Sequence, residues 1–190
     1  MTTEISAPEA QALTEEDVRR IVREEVTQAF AKNPASRRAA IIASKGTLDW
    51  AYPPLILANA AAAAGMDVSV FFTFYGLNII HRDFERKLKV DPVGNPAMPM
   101  PVPMPDVVTG MPGMLTVASK MMRSKFAKNN VANIRTLLDS AMELDVRLIA
   151  CQMTVDVFDY KEDEFLDGVE FGGAAAFMSE ARRSQVTLFI

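Results

Sequence analysis

Only one cysteine, one histidine and one tryptophan occur in 190 residues. A lone Cys excludes an intrachain disulfide, and one Cys with one His excludes a zinc site built from those residue types alone. Basic residues are not in excess. Twenty Lys+Arg against 24 Asp+Glu leave a formal charge of −4 and a pI near 5.1. A nucleic-acid binder shows a basic excess or a dense basic stripe, so no nucleic-acid partner is expected. Long hydrophobic runs are missing too. The longest uncharged stretch, residues 50–66 between Asp49 and Asp67, falls just short of a membrane span and carries Pro53 and Pro54. It reads as an apolar buried helix. The N-terminus, MTTEISAPEAQALTEEDVRR, has neither the basic n-region nor the apolar h-region of a secretory signal. With no signal and no partner for the thiol, the reducing cytoplasm is the expected compartment.

What is present is ordinary globular composition, 49% hydrophobic and 23% charged, in a length that suits one domain with a small appendage. Residues 1–13 read as a disordered leader. Thr14 followed by Glu15, Glu16 and Asp17 reads as a helix start. Val18, Ile21, Val22, Val26, Ala29 and Phe30 continue at helical spacing as far as Lys32-Asn33-Pro34. The first 37 residues are therefore a leader and an amphipathic helix. The main domain occupies 38–190.

From residue 38 onward α and β signals alternate. Strands are expected at 39–43, 67–74, 146–150, 168–170 and 186–190. Helices are expected at 50–64, capped by Asp49 and ended by Gly65, and at 134–144 and 173–179. Residues 156–166 read as loop and helix. Five short strands separated by helices predict an α/β fold with a parallel sheet covered on both faces. Residues 91–122 break the rhythm, holding seven of the 11 Pro and seven of the 12 Met. Proline forbids a regular helix or central strand in the first half; the second half, 107–122, has room for a helix. Adaptable Met side chains suit a contact surface. A self-packing flap, a subunit interface and peripheral docking on a membrane or partner are the three readings of this insertion.

Cys151 is the prime chemical candidate. In open α/β sheets ligands bind beyond the carboxyl ends of strands, and Cys151 falls at such an end, followed by Gln152, Met153 and Thr154. A helix starting soon afterwards favours the thiolate, the nucleophilic form. A buried, inert thiol is the alternative. Ser44, Lys45, Gly46 and Thr47 leave the first strand: Gly46 permits close backbone approach to a ligand and Lys45 suits an anion, but the P-loop spacing is absent. A plain turn is the alternative. Tyr75 and Gly76 end the second strand on the same edge. Gly172-Gly173 suits close helix packing. His81, among Arg82, Asp83, Glu85, Arg86 and Lys87, reads as part of a solvated helix face. Asp156, Asp159, Glu162, Asp163 and Glu164 form a solvated acidic run in preference to a metal site. No metal and no cofactor are expected.

Taken together, SKGTLDWAYPP (44–54), FFTFYGL (71–77), GNPAMPM (94–100), IACQMT (149–154) and DGVEFGGA (167–174) resemble the DsrE/DsrF/DsrH-like proteins of sulfur relay, in the branch with a long Met/Pro-rich insertion. The resemblance implies a flavodoxin-like α/β layer and a symmetric homo-oligomer. It also implies a Cys, at Cys151 here, that carries sulfane sulfur as a persulfide. The partner it implies is a small carrier of the TusA type or a rhodanese-like protein. Under that reading Ser44, Lys45, Gly46, Thr47, Tyr75, Gly76, Gln152, Met153 and Thr154 shape the pocket and stabilise the anion. With no second Cys, the second thiol must come from the partner. The competing readings are a non-enzymatic assembly module with a structural Cys, and a thiol peroxidase.

Overall fold

Short runs of β-branched and aromatic residues make the strands. In the computed structural model, β1 (Arg38–Ala43), β2 (Asp67–Phe72), β3 (Arg147–Cys151), β4 (Glu170–Gly172) and β5 (Val186–Phe189) form one sheet. Its order is β4-β3-β2-β1-β5, and every pairing is parallel. This is the expected α/β, flavodoxin-like architecture. The structure describes residues 37–91 and 113–190, together with Arg20 and Glu24, both helical. The chain divides into two units, Met1–Ala35 and Ser36–Ile190. Apart from Arg20 and Glu24, the helix expected over 14–31 lies outside the described residues, as does the insertion over 92–112.

A parallel sheet must be covered on both faces, and alternation along each strand decides what faces where. Ile41, Val70, Phe72, Leu148 and Ala150 belong to the larger core. There α1 (Leu48–Ala63) packs beside the sheet and α5 (Ile134–Glu143) packs on α1. Asn59 ties these two helices by donating to the Leu137 carbonyl at 2.9 Å. Leu138 is fully buried between them, so truncation to Ala there costs about 2–5 kcal/mol. Ala40, Phe71, Ile149 and Cys151 point the other way, into a smaller core closed by Phe177 of α7 (Ala174–Ala181). The Phe71 and Phe177 rings sit 5.4 Å apart. At the amino edge Arg147 bridges Glu170 and Glu180 at 2.7 and 2.8 Å, joining β3, β4 and α7.

Local chemistry sets the element ends. Asn133 caps α5, its Oδ1 accepting the Thr136 N–H at 2.9 Å. Gly65, at φ +80°, ends the α1 region in the left-handed conformation that favours glycine. Thr47, not Asp49, is the N-cap of α1; Asp49 lies in the first turn and accepts the Thr47 hydroxyl at 2.6 Å. Between β2 and the insertion come a 3-10 turn (Phe74–Gly76), α2 (Leu77–Ile80) and α3 (Phe84–Lys87). α4 (Met114–Lys128) follows the insertion and reaches beyond the 122 expected for that segment. No described helix is long and apolar enough to cross a membrane.

Two further expectations are corrected. β4 begins two residues later than the 168–170 reading, because Gly168 takes φ +84° in a turn closed by the Val169 N–H on the Leu166 carbonyl. His81 is not on a solvated helix face: it is 4% exposed. The 164–166 backbone lies against it, with the Arg82 N–H donating to the Glu164 carbonyl and the Leu166 N–H to that of Ile80. His81 therefore turns inward, beside the Tyr160 and Phe165 rings, while Arg82 turns out to Asp167 at 2.6 Å.

Candidate functional site

The carboxyl ends of β1, β2 and β3 lie side by side, because these strands are parallel neighbours with Ala43 opposite Phe72 and Phe72 opposite Ala150. Cys151 is the last residue of β3 and the N-cap of α6 (Gln152–Val157). One residue thus ends a strand and opens a helix, and the first amide groups of α6 turn toward its sulfur. The thiol is 4% exposed and packs in the smaller core with Ile149, Phe71 and Phe177.

Two opposed effects act on that thiol. Burial pushes its pKa up. Hydrogen bonds from the Thr154 hydroxyl and N–H, the Thr73 hydroxyl and the Met153 N–H outweigh burial and hold it below the ordinary thiol value. Each of these donors favours the anion, so together they form a preorganised seat for a thiolate. Thr154 is itself buried and accepts the Phe74 N–H at 3.3 Å, which holds its oxygen in place. Thr73 follows β2 directly and holds the strand line by donating its N–H to the Ala43 carbonyl. Next to it, Phe74 adopts φ +47°, a strained value for an aromatic residue.

Two glycines lock the exits of β1 and β2 together. A Cβ at Gly46 would overlap the Tyr75 carbonyl oxygen, and one at Gly76 would overlap that of Ala43. Gly46 thus admits the protein's own backbone, so that the turn after β1 nests against the turn after β2. Around this edge large apolar side chains stand in solvent. Phe74 and Tyr75 leave β2, while Met153 and Val157 share one face of α6; these are 53%, 65%, 57% and 67% exposed. Tyr75 stacks against Phe158 at 5.7 Å.

The remaining expected site residues are placed as follows. Ser44 donates to the Ile190 carbonyl at 3.0 Å, securing the C-terminus. Lys45 Nζ sits 3.2 Å over the Trp50 ring. Gln152 donates along its own helix to Asp156 at 2.9 Å. The structure thus gathers Cys151, Met153 and Thr154 around one sulfur. It sets Gly46, Tyr75 and Gly76 in the adjoining turns, and commits the Ser44, Lys45 and Gln152 side chains elsewhere. Thr73 is the residue sequence reasoning missed. Its only signal was its place at the end of a strand neighbouring that of Cys151. Among the described residues no group of His, Cys, Asp and Glu is arranged to hold a metal ion.

A single thiol at the carboxyl edge of a parallel sheet, its anion favoured by the Thr73 and Thr154 hydroxyls and the first amides of the following helix, defines a one-cysteine α/β thiol protein. The chain belongs to the DsrE/DsrF/DrsH-like family, whose model matches residues 35–189. It is 49% identical over 158 residues to the sulfur carrier protein DsrE2 of Allochromatium vinosum, covering 81% of this chain and 98% of that one. It is 31% identical over 165 residues to the uncharacterized protein YrkE of Bacillus subtilis, covering 82% and 98%. The crystal structure of the ychN protein from E. coli superposes with a TM-score of 0.51 at 14% identity, over 81% of this chain and 99% of that one, a likeness of fold.

Proposed function

We propose that this protein traffics sulfur, carrying sulfane sulfur as a persulfide on Cys151 and passing it to or from a partner carrier. The observation that supports this best is the seat of hydrogen-bond donors that lowers the Cys151 pKa against the effect of burial. Likeness to a relative named a sulfur carrier points the same way. The Cys151 thiolate attacks the outer sulfur of a donor persulfide. The donor's S–S bond breaks, the donor leaves as a thiolate, and the new S–S bond on Cys151 holds the transferred sulfur atom. The acceptor's thiolate then attacks that outer sulfur and Cys151 leaves as thiolate. Each step is redox-neutral and needs one thiol from each protein, which suits a chain with a single Cys. The donors that seat the thiolate stabilise Cys151 both as nucleophile and as leaving group. The apolar rim of Tyr75 and Met153 lowers water activity beside the persulfide.

A packed, inert thiol in an assembly module is the second reading, favoured by the 4% exposure of Cys151. Assembly itself belongs to both readings: Phe189, on an edge strand, and Met178 are 75% and 62% exposed, which supports a homo-oligomer. Intact-protein mass spectrometry after exposure to a persulfide donor separates the readings. A gain of one or more sulfur masses on the wild type, absent from Cys151→Ala and removed by reductant, is the expected result. No adduct, with no alkylation in the native state, leaves the assembly reading.

A further inference from the structure

Next to the start of α1 lies a cleft of about 720 Å3 between α3 and α4. Arg86, Lys87, Lys89, Lys120 and Arg123 line it, against Asp83 and Glu85. Among the described residues this is an excess of positive charge, set against the chain's net −4. Two of the cations are held: Lys87 donates to the Tyr160 hydroxyl at 2.9 Å, and Arg123 to the Glu85 and Leu88 carbonyls at 2.9 and 3.1 Å. Arg86, Lys89 and Lys120 are exposed and meet no carboxylate among the described residues. The cleft is tied to the site's edge through the Lys89 carbonyl, which accepts the N–H of Leu48, the first residue of α1, at 2.8 Å.

We propose that this cleft docks an acidic polypeptide segment of the protein that exchanges sulfur with Cys151. The partner's role rests on the carrier reading; the binding does not. A single small oxyanion fits the cleft poorly. It is far larger than such an ion, and its cations are spread over two helices on solvated side chains. Its one buried hydroxyl among the described residues, Ser119, is already spent, donating to the Leu115 carbonyl at 2.6 Å and accepting the Val90 N–H at 3.0 Å. Dispersed cations match carboxylates dispersed along a chain. Such a segment would tether the partner to the chain, with charge steering the encounter.

The test is fluorescence anisotropy of a labelled ten-residue glutamate peptide with the full chain, beside a glutamine peptide of equal length. The glutamate peptide is expected to bind at low salt, the glutamine peptide not to bind. Lys89→Glu with Lys120→Glu is expected to weaken binding by roughly tenfold, through two lost attractions and two new repulsions. Cys151→Ala is expected to bind like the wild type. Equal binding by the charge-reversed variant, or equal binding of the glutamine peptide, overturns the proposal. Displacement by sulfate far beyond that by chloride at matched ionic strength overturns it too, in favour of a small-oxyanion site. Sulfur loading of the same variant from a small persulfide donor keeps the readings apart. Unchanged loading with lost peptide binding supports the docking cleft. Lost loading in the wild type with retained peptide binding sinks the carrier chemistry and leaves the cleft standing.

Discussion

The hydroxyl oxygens of Thr73 and Thr154 lie 3.2 Å apart, hydrogen-bonded to each other, one just past β2 and the other in α6, and both favour the thiolate of Cys151. Two elements from distant parts of the chain thus converge on one atom. Their hydroxyls are worth most when that atom is charged, because charge-assisted hydrogen bonds are about twice as strong as neutral ones.

Replacing Thr154 by Val removes the leading donor while keeping the side-chain shape. Native-state alkylation of Cys151 by iodoacetamide at pH 7 is expected to slow by roughly tenfold, since a hydrogen bond to a charged group contributes about 1.5–3 kcal/mol. The same change strands the Phe74 N–H, which lowers stability by about 1–3 kcal/mol in a urea titration. Thr154→Ser keeps the hydroxyl and is expected to alkylate near the wild-type rate. Equal rates in all three proteins would show that the hydroxyl does not act on the thiolate.

The lowered pKa of Cys151 also fixes a sign for stability against pH. Its folded value lies below the ordinary thiol value, so the folded state gives up this proton more readily than the unfolded chain. That stability is fully present above the unfolded pKa, near 8.5, and is lost as pH falls through the folded value. The Tm advantage of the wild type over Cys151→Ala is therefore expected to grow with rising pH across this window. Paired thermal melts from pH 6 to 9.5 measure it. An advantage that shrinks toward alkaline pH contradicts the thiolate seat.

The fold and the site differ in how far they can be read from sequence. Strands such as DVSVFF over 67–72 declare themselves by β-branched and aromatic runs, and Gly65 by its place after an Ala-rich helix. The identity and position of Cys151 were legible for the same reason. What surrounds the sulfur was legible only in part. Thr154 follows Cys151 in the chain, but Thr73 precedes it by 78 residues and reaches it through the β2–β3 register. His81 misled because its neighbours are charged. Its burial is set by the 164–166 segment laid across it, a contact between residues more than 80 positions apart.

Gly46 is required by the close approach of the Tyr75 backbone. Gly46→Ala puts a methyl group into the Tyr75 carbonyl, and the obstacle is backbone. The expected cost is about 1–3 kcal/mol, the usual range for overpacking, read as a lower urea midpoint with unchanged slope. Movement of the 74–76 turn also displaces the Phe74 N–H from Thr154, so alkylation of Cys151 is expected to slow as well. Gly173→Ala, where a Cβ meets nothing within 4 Å, is the control for overpacking: its expected cost is only that of an altered helix N-cap, about 0.5–1 kcal/mol, with the alkylation rate unchanged.

His81 supplies an acid-side counterpart. Its Nδ1 accepts the Asp83 N–H at 2.9 Å, which leaves the proton of the neutral ring on Nε2. Nε2 is buried without a hydrogen-bond partner among the described residues, and Glu164 stands 3.9 Å away. Burial, with the nearby Lys87, lowers the imidazole pKa; Glu164 and Asp83 pull the other way and do not prevail. The unfolded chain therefore binds this proton more readily than the fold. Stability is complete above the ordinary imidazole value, about 6.5, and declines as pH drops below it. His81→Asn retains an acceptor for the Asp83 N–H but cannot charge. Between pH 7.5 and 5 its Tm is expected to fall by less than that of the wild type. An identical fall in both proteins would assign the acid sensitivity to other groups, and leave His81 as a packing residue among Tyr160 and Phe165.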